Sequence, residues 1–248
     1  MADQTSSSKA GDQTVSPATE IADGESASPH YRRARRDRGA ETRLRLIEAA
    51  LDVFGLYGFE GATTRQIARE AGANLAAIVY HFGSKEALHT AVAEHVANHM
   101  LAAAGPTMAA AAAPGAAATP EAARAMLHRL IETYVDVIVG TADAERWARF
   151  IVREQMQPTG AFDVIYRVMG GAVCLASRLL ATALGQPEDN TVKLRVITLF
   201  GQVLIFRVAQ ALVLRRMGWT AIGAQERAEI KRIVGGQIDA ILDREMRA

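Results

Sequence analysis

The sequence contains a single cysteine, Cys174, among 248 residues. One cysteine cannot form a disulfide within the chain, and it cannot supply the paired-cysteine motifs that hold structural zinc or iron–sulfur clusters. Cys174 lies in the run GGAVCLASRLL, where a small buried side chain is the favoured interpretation and a redox role the less favoured one.

The sequence also lacks the local motifs of common enzyme classes. It has no HExxH motif, no GxSxG motif and no glycine-rich phosphate loop between a strand and a helix. His95 and His99 lie four residues apart on one predicted helix, but no third ligand completes a clear metal motif. We therefore expect neither catalysis nor a bound metal or other cofactor.

Alternating apolar and polar residues, the signal of a β-strand, do not extend far enough to predict one, so we expect an all-α fold. The alanine-rich stretch 102–120 contains three prolines and predicts a loop. Helical periodicity predicts helices over about 40–57, 64–82 (a helix-turn-helix), 84–101, 121–139, 143–156, 162–184, 188–217 and 224–247.

The run VKLRVITLFGQVLIFRVAQALVL, which starts at Val192, is apolar on nearly all sides. Lys193, Arg195 and Arg207 interrupt it, and charged groups are costly inside a bilayer, so we expect no membrane span. A helix apolar on most faces is buried on most faces. We expect the two C-terminal helices to form a four-helix interface with a second copy, through Leu199, Val203, Phe206, Leu214, Ile230, Ile233, Val234 and Ile241. Burial of these residues within one chain is the alternative.

The net charge of +1 says little, but the charges are unevenly distributed. Residues 1–29 are acidic and rich in small polar residues, which predicts a disordered tail without the pattern of a secretory signal. We therefore expect a cytoplasmic protein. A block of five arginines follows: Arg32, Arg33, Arg35, Arg36 and Arg38. This block either contacts DNA phosphates or an adjacent minor groove, or is a solvated linker or the exposed start of the first helix. We assign residues 1–38 to the tail and basic arm.

The segment 63–88, TTRQIAREAGANLAAIVYHFGSKEAL, is the most informative part of the chain. Thr63 with Gln66 forms the pattern of a capping box, Gly72 allows a sharp turn, and Asn74 and Ser84 can cap the next two helices. This layout is typical of a helix-turn-helix, whose second helix enters the DNA major groove. A helical hairpin with no DNA partner is the alternative from spacing alone.

Three motifs in residues 42–96, namely IEAALDVFGLYGFEGATT, IAREAG and YHFGSKEAL, resemble in order and spacing the DNA-binding domain of the TetR/AcrR family of transcriptional regulators. The form NLAAIVYHFGSKEAL, with REQMQPTGAF downstream, is similar to the CecR-type subgroup. The resemblance implies a three-helix DNA-binding domain over 39–90 and a helical effector-binding and dimerisation domain over 91–248. It also implies a homodimeric repressor that a small molecule of unknown identity releases from a palindromic operator in double-stranded DNA. An activator, or an architectural factor without a ligand, is the alternative.

The resemblance also implies roles for individual residues of the helix-turn-helix. Phosphate contacts are implied for Thr64, Arg65, Tyr80, His81 and Lys85, and contacts with base edges for Leu75, Ala76 and Ala77. Because the last three are apolar, we expect base recognition through thymine methyl groups and DNA shape. Packing against the first helix is the alternative for Tyr80 and His81.

An effector cavity in a helical domain should be mostly apolar with a few polar groups. The C-terminal helices offer such a mixture in Tyr134, Trp147, Phe150, Arg153, Glu154, Met156, Phe162, Tyr166 and Phe206. The alternative is that the aromatic residues belong to the core and that Arg153 and Glu154 form an ion pair.

Overall fold

A computed structural model describes residues 29–140 and 143–245. This part of the chain consists of ten α-helices and contains no strand, so the expected all-α fold is confirmed. The helices are α1 (Pro29–Gly61), α2 (Thr64–Glu70), α3 (Leu75–Phe82), α4 (Lys85–Ala112), α5 (Pro120–Val139), α6 (Asp143–Met156), α7 (Phe162–Leu184), α8 (Asn190–Val208), α9 (Gln210–Met217) and α10 (Ala224–Glu245). Most of the predicted acidic tail, residues 1–28, lies outside the described residues.

Helix α1 begins at Pro29, so the predicted start near residue 40 was wrong. The backbone of the arginine block is helical, as expected if the block is the start of the first helix. Arginine is a good helix former, which allows the helix to extend through this block. The end of this helix was expected at Gly58. The helical geometry is interrupted there, since Gly58 adopts φ 73° and ψ 175°. The chain divides into two compact units, residues 1–39 and 40–248, and the packing described below is that of the second unit.

Helix α4 continues to Ala112 through Gly105 and Pro106, so the predicted loop over 102–112 was also wrong. Proline removes one backbone hydrogen bond and normally bends or ends a helix. Here the high helix propensity of alanine and packing against α5 and α7 outweigh that cost. The hydroxyls of Thr107 and Thr133 lie 3.0 Å apart and join α4 to α5. A break occurs only at residues 113–119.

The predicted helix 188–217 is two helices, α8 and α9, bent by 78° at Ala209. Ala209 has φ −107° and ψ 31°, outside the helical region. Nothing in the apolar run marks this position, because alanine is a strong helix former. Asp189 caps the start of α8 by accepting a 2.9 Å hydrogen bond from the Val192 amide.

The buried side chains form two clusters. The head cluster joins α1–α4 to residues from the C-terminal half, among them Trp147 and Phe150 of α6 and Ile165 of α7. The body cluster joins α5, α7, α8 and α10, with Leu180 and Leu199 fully buried. Since α4 and α7 contribute to both clusters, the N-terminal helices of the second unit are packed directly onto its C-terminal helices.

Helix α7 is long and apolar enough to cross a membrane, and α8 with α9 qualifies only as a pair bent by 78°. One or two such helices are weak evidence for a span, because core helices share these properties. Leu175, Leu179 and Leu180 of α7 are buried in the body cluster. The hydropathy of α7 is therefore explained by packing inside the protein.

Candidate functional site

The helix-turn-helix is held by side-chain caps at three successive helix starts. Thr63 Oγ1 accepts a 3.2 Å hydrogen bond from the Gln66 amide, and Gln66 Oε1 accepts one of 3.0 Å from the Thr63 amide. Asn74 Oδ1 accepts from the Ala76 amide at 3.0 Å, and Ser84 Oγ accepts from the Ala87 amide at 3.1 Å. The predicted caps of α2, α3 and α4 are confirmed.

Helix α3 presents one side to the core and another to solvent. Ile78 is 1% exposed and anchors the helix in the head cluster. The opposite side, which we call the outward face, consists of Leu75, Ala76, Val79 and Tyr80. Of these, Val79 is 64% exposed and Tyr80 is 79% exposed. This solvent-exposed surface is apolar apart from one phenol hydroxyl.

The outward face differs in two residues from the contacts expected from the sequence. Ala77 is half-buried and packs against the head cluster, so it faces the core rather than a base edge. Val79 was left out of the expected contacts, yet it lies one helical turn after Leu75 on the same face. The i, i+4 spacing from Leu75 is the signal that identifies Val79.

The other expected DNA contacts lie around the outward face. Arg65 is exposed and Thr64 half-buried at the start of α2. Tyr80 is 79% exposed, and its ring centroid lies 4.9 Å from that of His81. Phe82 is half-buried and packs against the head cluster instead, with the Arg43 guanidinium 5.1 Å from its ring centroid.

Lys85 has a structural role that its position in the motif did not reveal. Its ammonium group donates hydrogen bonds to the carbonyl oxygens of Phe59, at 2.9 Å, and Ala62, at 3.3 Å. It also lies 4.3 Å from the centroid of the Phe59 ring. Lys85 thus ties the start of α4 to the end of α1. Only the third N–H of its ammonium group is left for a phosphate.

A buried polar pair lies beneath this region. His89 is 3% exposed, and its Nε2 is 3.4 Å from a carboxylate oxygen of Glu154, which is 2% exposed. The other Glu154 oxygen accepts a 2.8 Å hydrogen bond from the Thr159 hydroxyl. Burial, aided by the positive charge of Lys85, lowers the pKa of His89 to about 4, so the imidazole is neutral at pH 7.

The residues expected to form an effector cavity do not converge on one site. Trp147, Phe150 and Glu154 are buried in or beside the head cluster, as the core alternative expected. Arg153 donates a 2.7 Å hydrogen bond to the Leu56 carbonyl rather than pairing with Glu154. Arg153 and Met156 line a groove of about 650 Å³ between α6 and the α8–α9 bend. The rings of Phe162 and Tyr166 stack on each other, with centroids 5.8 Å apart. Phe206 packs on the body cluster.

Tyr134 lines a different space, an apolar cavity of about 250 Å³ between α4, α5, α7 and α8. Its wall contains Val137 and Val168 from the head cluster and Leu130 and Phe200 from the body cluster. The cavity therefore lies where the two clusters meet. Periodicity alone could not find it, because its wall combines residues of α4, α5, α7 and α8 with Gln155 of α6, and periodicity does not report how helices pack together.

Half of the residues expected in a subunit interface are instead buried in the chain's own core. Leu199, Val203, Ile230 and Val234 are at most 2% exposed. Of the remaining four, Ile233 is 46% exposed. Besides Ile233, the large apolar side chains exposed on α8 and α9 include Leu194 (62% exposed), Ile197 (54%), Ile205 (49%), Val208 (57%) and Leu212 (69%).

The histidines of α4 take part in local contacts. His95 Nε2 is 2.9 Å from a carboxylate oxygen of Glu48, and His99 Nδ1 is 2.8 Å from the His95 carbonyl oxygen. Within 29–140 and 143–245, no three His, Cys, Asp or Glu side chains are grouped so that they could hold a metal ion.

Two family models match the chain. Residues 46–92 match the bacterial regulatory proteins of the tetR family, and residues 123–244 match the C-terminal domain of the HTH-type transcriptional dual regulator CecR. The chain is 35% identical over 211 residues to the transcriptional dual regulator CecR of Shigella flexneri, covering 83% of this chain and 93% of the relative.

Solved structures of transcriptional regulators share the fold. A TetR-like regulator from Rhodococcus sp. RHA1 aligns with a TM-score of 0.52 at 20% identity, covering 82% of this chain and 91% of that one. FadR from Bacillus subtilis, solved in complex with stearoyl-CoA, aligns with a TM-score of 0.53 at 13% identity, covering 79% and 96%.

Proposed function

Because the chain belongs to the TetR family of bacterial regulatory proteins, with a C-terminal domain of the CecR type, we propose that this transcriptional regulator is a cytoplasmic homodimeric repressor. In this proposal it binds a palindromic operator and leaves it when a small molecule binds the C-terminal domain. The observation that supports it most is the outward face of α3, which is exposed on a helix-turn-helix held by caps at all three helix starts.

Base recognition by this face would rely on shape and apolar contact. Leu75, Ala76 and Val79 offer methyl groups suited to thymine methyls, and they carry no group that could hydrogen-bond to a guanine or adenine edge. In this proposal the exposed Tyr80 hydroxyl and Arg65 guanidinium contact phosphates of the operator. We expect the operator to contain T·A pairs at the positions beneath α3.

Two copies are needed for a site of useful length. Helix α3 has eight residues and is about 12 Å long, so one copy spans only a few base pairs. Two copies related by a two-fold axis would span successive major grooves and match a palindrome. Pairing would cover the exposed apolar side chains of α8, α9 and α10.

The route from effector to DNA would run through α6. Arg146 of α6 donates to the Asp52 carboxylate at 2.7 and 2.9 Å and to a Glu48 carboxylate oxygen at 2.6 Å. Gln155 of the same helix lines the cavity where the two clusters meet. A ligand that shifts α6 would therefore shift α1 and, with it, the spacing of the two α3 helices in the dimer.

The proposal is tested on DNA from upstream of the protein's own gene. DNase footprinting should show two protected half-sites related by symmetry, and transcription from that promoter in vitro should fall when the protein is added. Protection of a single half-site would contradict the dimer, and increased transcription would contradict repression. Activation at some promoters is the second candidate, because the CecR relative is described as a dual regulator.

A further inference from the structure

The cavity where the two clusters meet has a wall without charge. Fifteen residues line it, and none is Asp, Glu, Lys, Arg or His. Its polar side chains are the phenol of Tyr134 and the amide of Gln155. Burial raises the pKa of Tyr134 to about 12, so its hydroxyl stays protonated and can both donate and accept a hydrogen bond.

Neither polar group is used by the protein itself. Among the described residues, the side chains of Tyr134 and Gln155 form no hydrogen bond with another group. Gln155 is exposed, whereas Tyr134 is half-buried, with its ring centroid 4.6 Å from that of Phe200. A ligand hydroxyl is costly to bury in an apolar space without a hydrogen-bond partner, and the phenol of Tyr134 can supply one.

The dimensions of the cavity restrict the size of its occupant. Its volume of about 250 Å³ lies below the roughly 300–1,000 Å³ of sites that hold drug-sized molecules. Three methionines, Met100, Met108 and Met169, contribute flexible thioethers, which adapt to a ligand and make favourable contacts with aromatic rings.

We propose that the effector is a compact, uncharged aromatic molecule with a hydroxyl or similar group, bound in this cavity with that group hydrogen-bonded to the Tyr134 hydroxyl. The inference rests on the proposed function, in which a small molecule controls DNA binding. A carboxylate, phosphate or ammonium group would be buried without a countercharge, which is strongly unfavourable. A ligand bearing a nucleotide would also exceed the volume.

The charge preference is tested with three naphthalene derivatives of similar size. Calorimetric titration of the full-length protein at pH 7 would compare 1-naphthol, which is neutral, with 1-naphthoate and 1-naphthylmethylammonium. We expect 1-naphthol to bind at least tenfold more tightly than either charged compound. Equal or tighter binding of a charged compound, or no binding of 1-naphthol at its solubility limit, would overturn the proposal.

The position of the ligand is tested by filling the cavity. A Cβ added at Gly201, which lines the cavity from α8, would have nothing within 4 Å, so Gly201→Leu can fill the space without a backbone clash. We expect at least tenfold weaker binding of 1-naphthol with the melting temperature preserved. The matched control is Thr198→Leu, which adds a leucine one turn earlier on α8, outside the cavity wall, and should bind 1-naphthol as the unmodified protein does.

A conservative variant covers the case in which Gly201→Leu does not fold. Tyr134→Phe removes only the hydroxyl and should weaken 1-naphthol binding about five- to tenfold while leaving the affinity for naphthalene unchanged. Unchanged 1-naphthol binding in this variant would overturn the assigned hydrogen bond.

Failure of the inference and failure of the proposed function give different results. If 1-naphthol binds as expected but does not release the protein from its promoter DNA, the ligand assignment stands and release by that ligand fails. If promoter binding is seen but 1-naphthol does not bind, the regulator assignment stands and the ligand assignment fails.

Discussion

At the scale of single residues, the family motif gives the position of a side chain but not its contacts. Lys85 is expected to contact a phosphate, yet its ammonium group bonds to the carbonyls of Phe59 and Ala62. Hydrogen bonds from a charged group are typically worth about 1.5–3 kcal/mol each, at the low end when the group is partly exposed. The structural contribution of Lys85 is therefore testable separately from DNA binding.

We expect Lys85→Ala to lower the free energy of unfolding by about 1–3 kcal/mol, as measured by urea denaturation. Arg65→Ala removes an exposed cation and should leave stability within about 0.5 kcal/mol. If Arg65 contacts a phosphate, its loss should reduce the slope of log affinity against log salt by about one unit per half-site. A Lys85→Ala variant with unchanged stability would show that the two carbonyl bonds contribute nothing.

Tyr80 and Tyr57 form a matched pair for testing the outward face. Tyr80 is 79% exposed on α3, and Tyr57 is 53% exposed on α1. Tyr80→Ala should weaken binding to promoter DNA at least tenfold, whereas Tyr57→Ala should leave it unchanged, as measured by fluorescence anisotropy. Both variants should fold normally because neither side chain is buried. Equal effects of the two substitutions on promoter binding would show that the outward face is not part of the DNA interface.

His89 should make stability depend on pH. Its pKa is lowered from 6.5 to about 4, so the unfolded chain takes up a proton on acidification before the folded protein does. The part of the unfolding free energy that depends on neutral His89 is therefore fully present above about pH 6.5. It is lost as the pH falls towards 4, at up to about 1.4 kcal/mol per pH unit. The difference in unfolding free energy between the unmodified protein and His89→Gln should be constant from pH 7 to 8 and shrink below 6.5. A constant difference down to pH 4.5 would contradict this.

At the scale of secondary-structure elements, the sequence predicts helices that have clear caps and periodicity. It does not predict where a helix continues or bends without a local signal. Thr63, Asn74 and Ser84 mark the starts of α2, α3 and α4, because a capping side chain acts on its own neighbours. The continuation of α4 through Pro106 depends partly on packing against α5 and α7, which no local pattern records, and nothing in the apolar run marks the bend at Ala209. The cavity was not predicted either. Of the residues expected to bind the effector, only Tyr134 lines it.

The attachment of α6 to α1 can be tested on two arginines of α6. Arg146 bonds to Glu48 and Asp52 of α1, whereas Arg149 pairs with Glu145 in its own helix at 3.4 Å. Arg146→Met should lower the free energy of unfolding by about 1–2 kcal/mol and weaken the effect of a bound ligand on DNA affinity. Arg149→Met should change neither by a measurable amount. Intact ligand-driven release in Arg146→Met would place the route between cavity and DNA elsewhere.

At the scale of the whole molecule, two adjacent residues of α10 separate assembly from folding. Ile233 is 46% exposed, and Val234 is 2% exposed in the body cluster. Ile233→Glu should give folded monomers that bind promoter DNA weakly, because pairing covers its face in the proposed dimer. Val234→Glu should destabilise the fold itself by burying an unpaired charge. Sedimentation velocity with circular dichroism distinguishes the two results, and an unmodified protein that is monomeric at micromolar concentration would contradict the dimer.

The head cluster has a consequence for how this protein can be divided or recombined. Its core takes Trp147, Phe150, Ile151 and Ile165 from helices that lie far beyond the helix-turn-helix in sequence. A fragment ending after α4 would leave an uncovered apolar surface where these side chains sit. The DNA-binding half is thus not a detachable module. A chimaera that borrows α1–α4 from a relative with a different operator would have to borrow the facing side of α6 and the first turns of α7 as well.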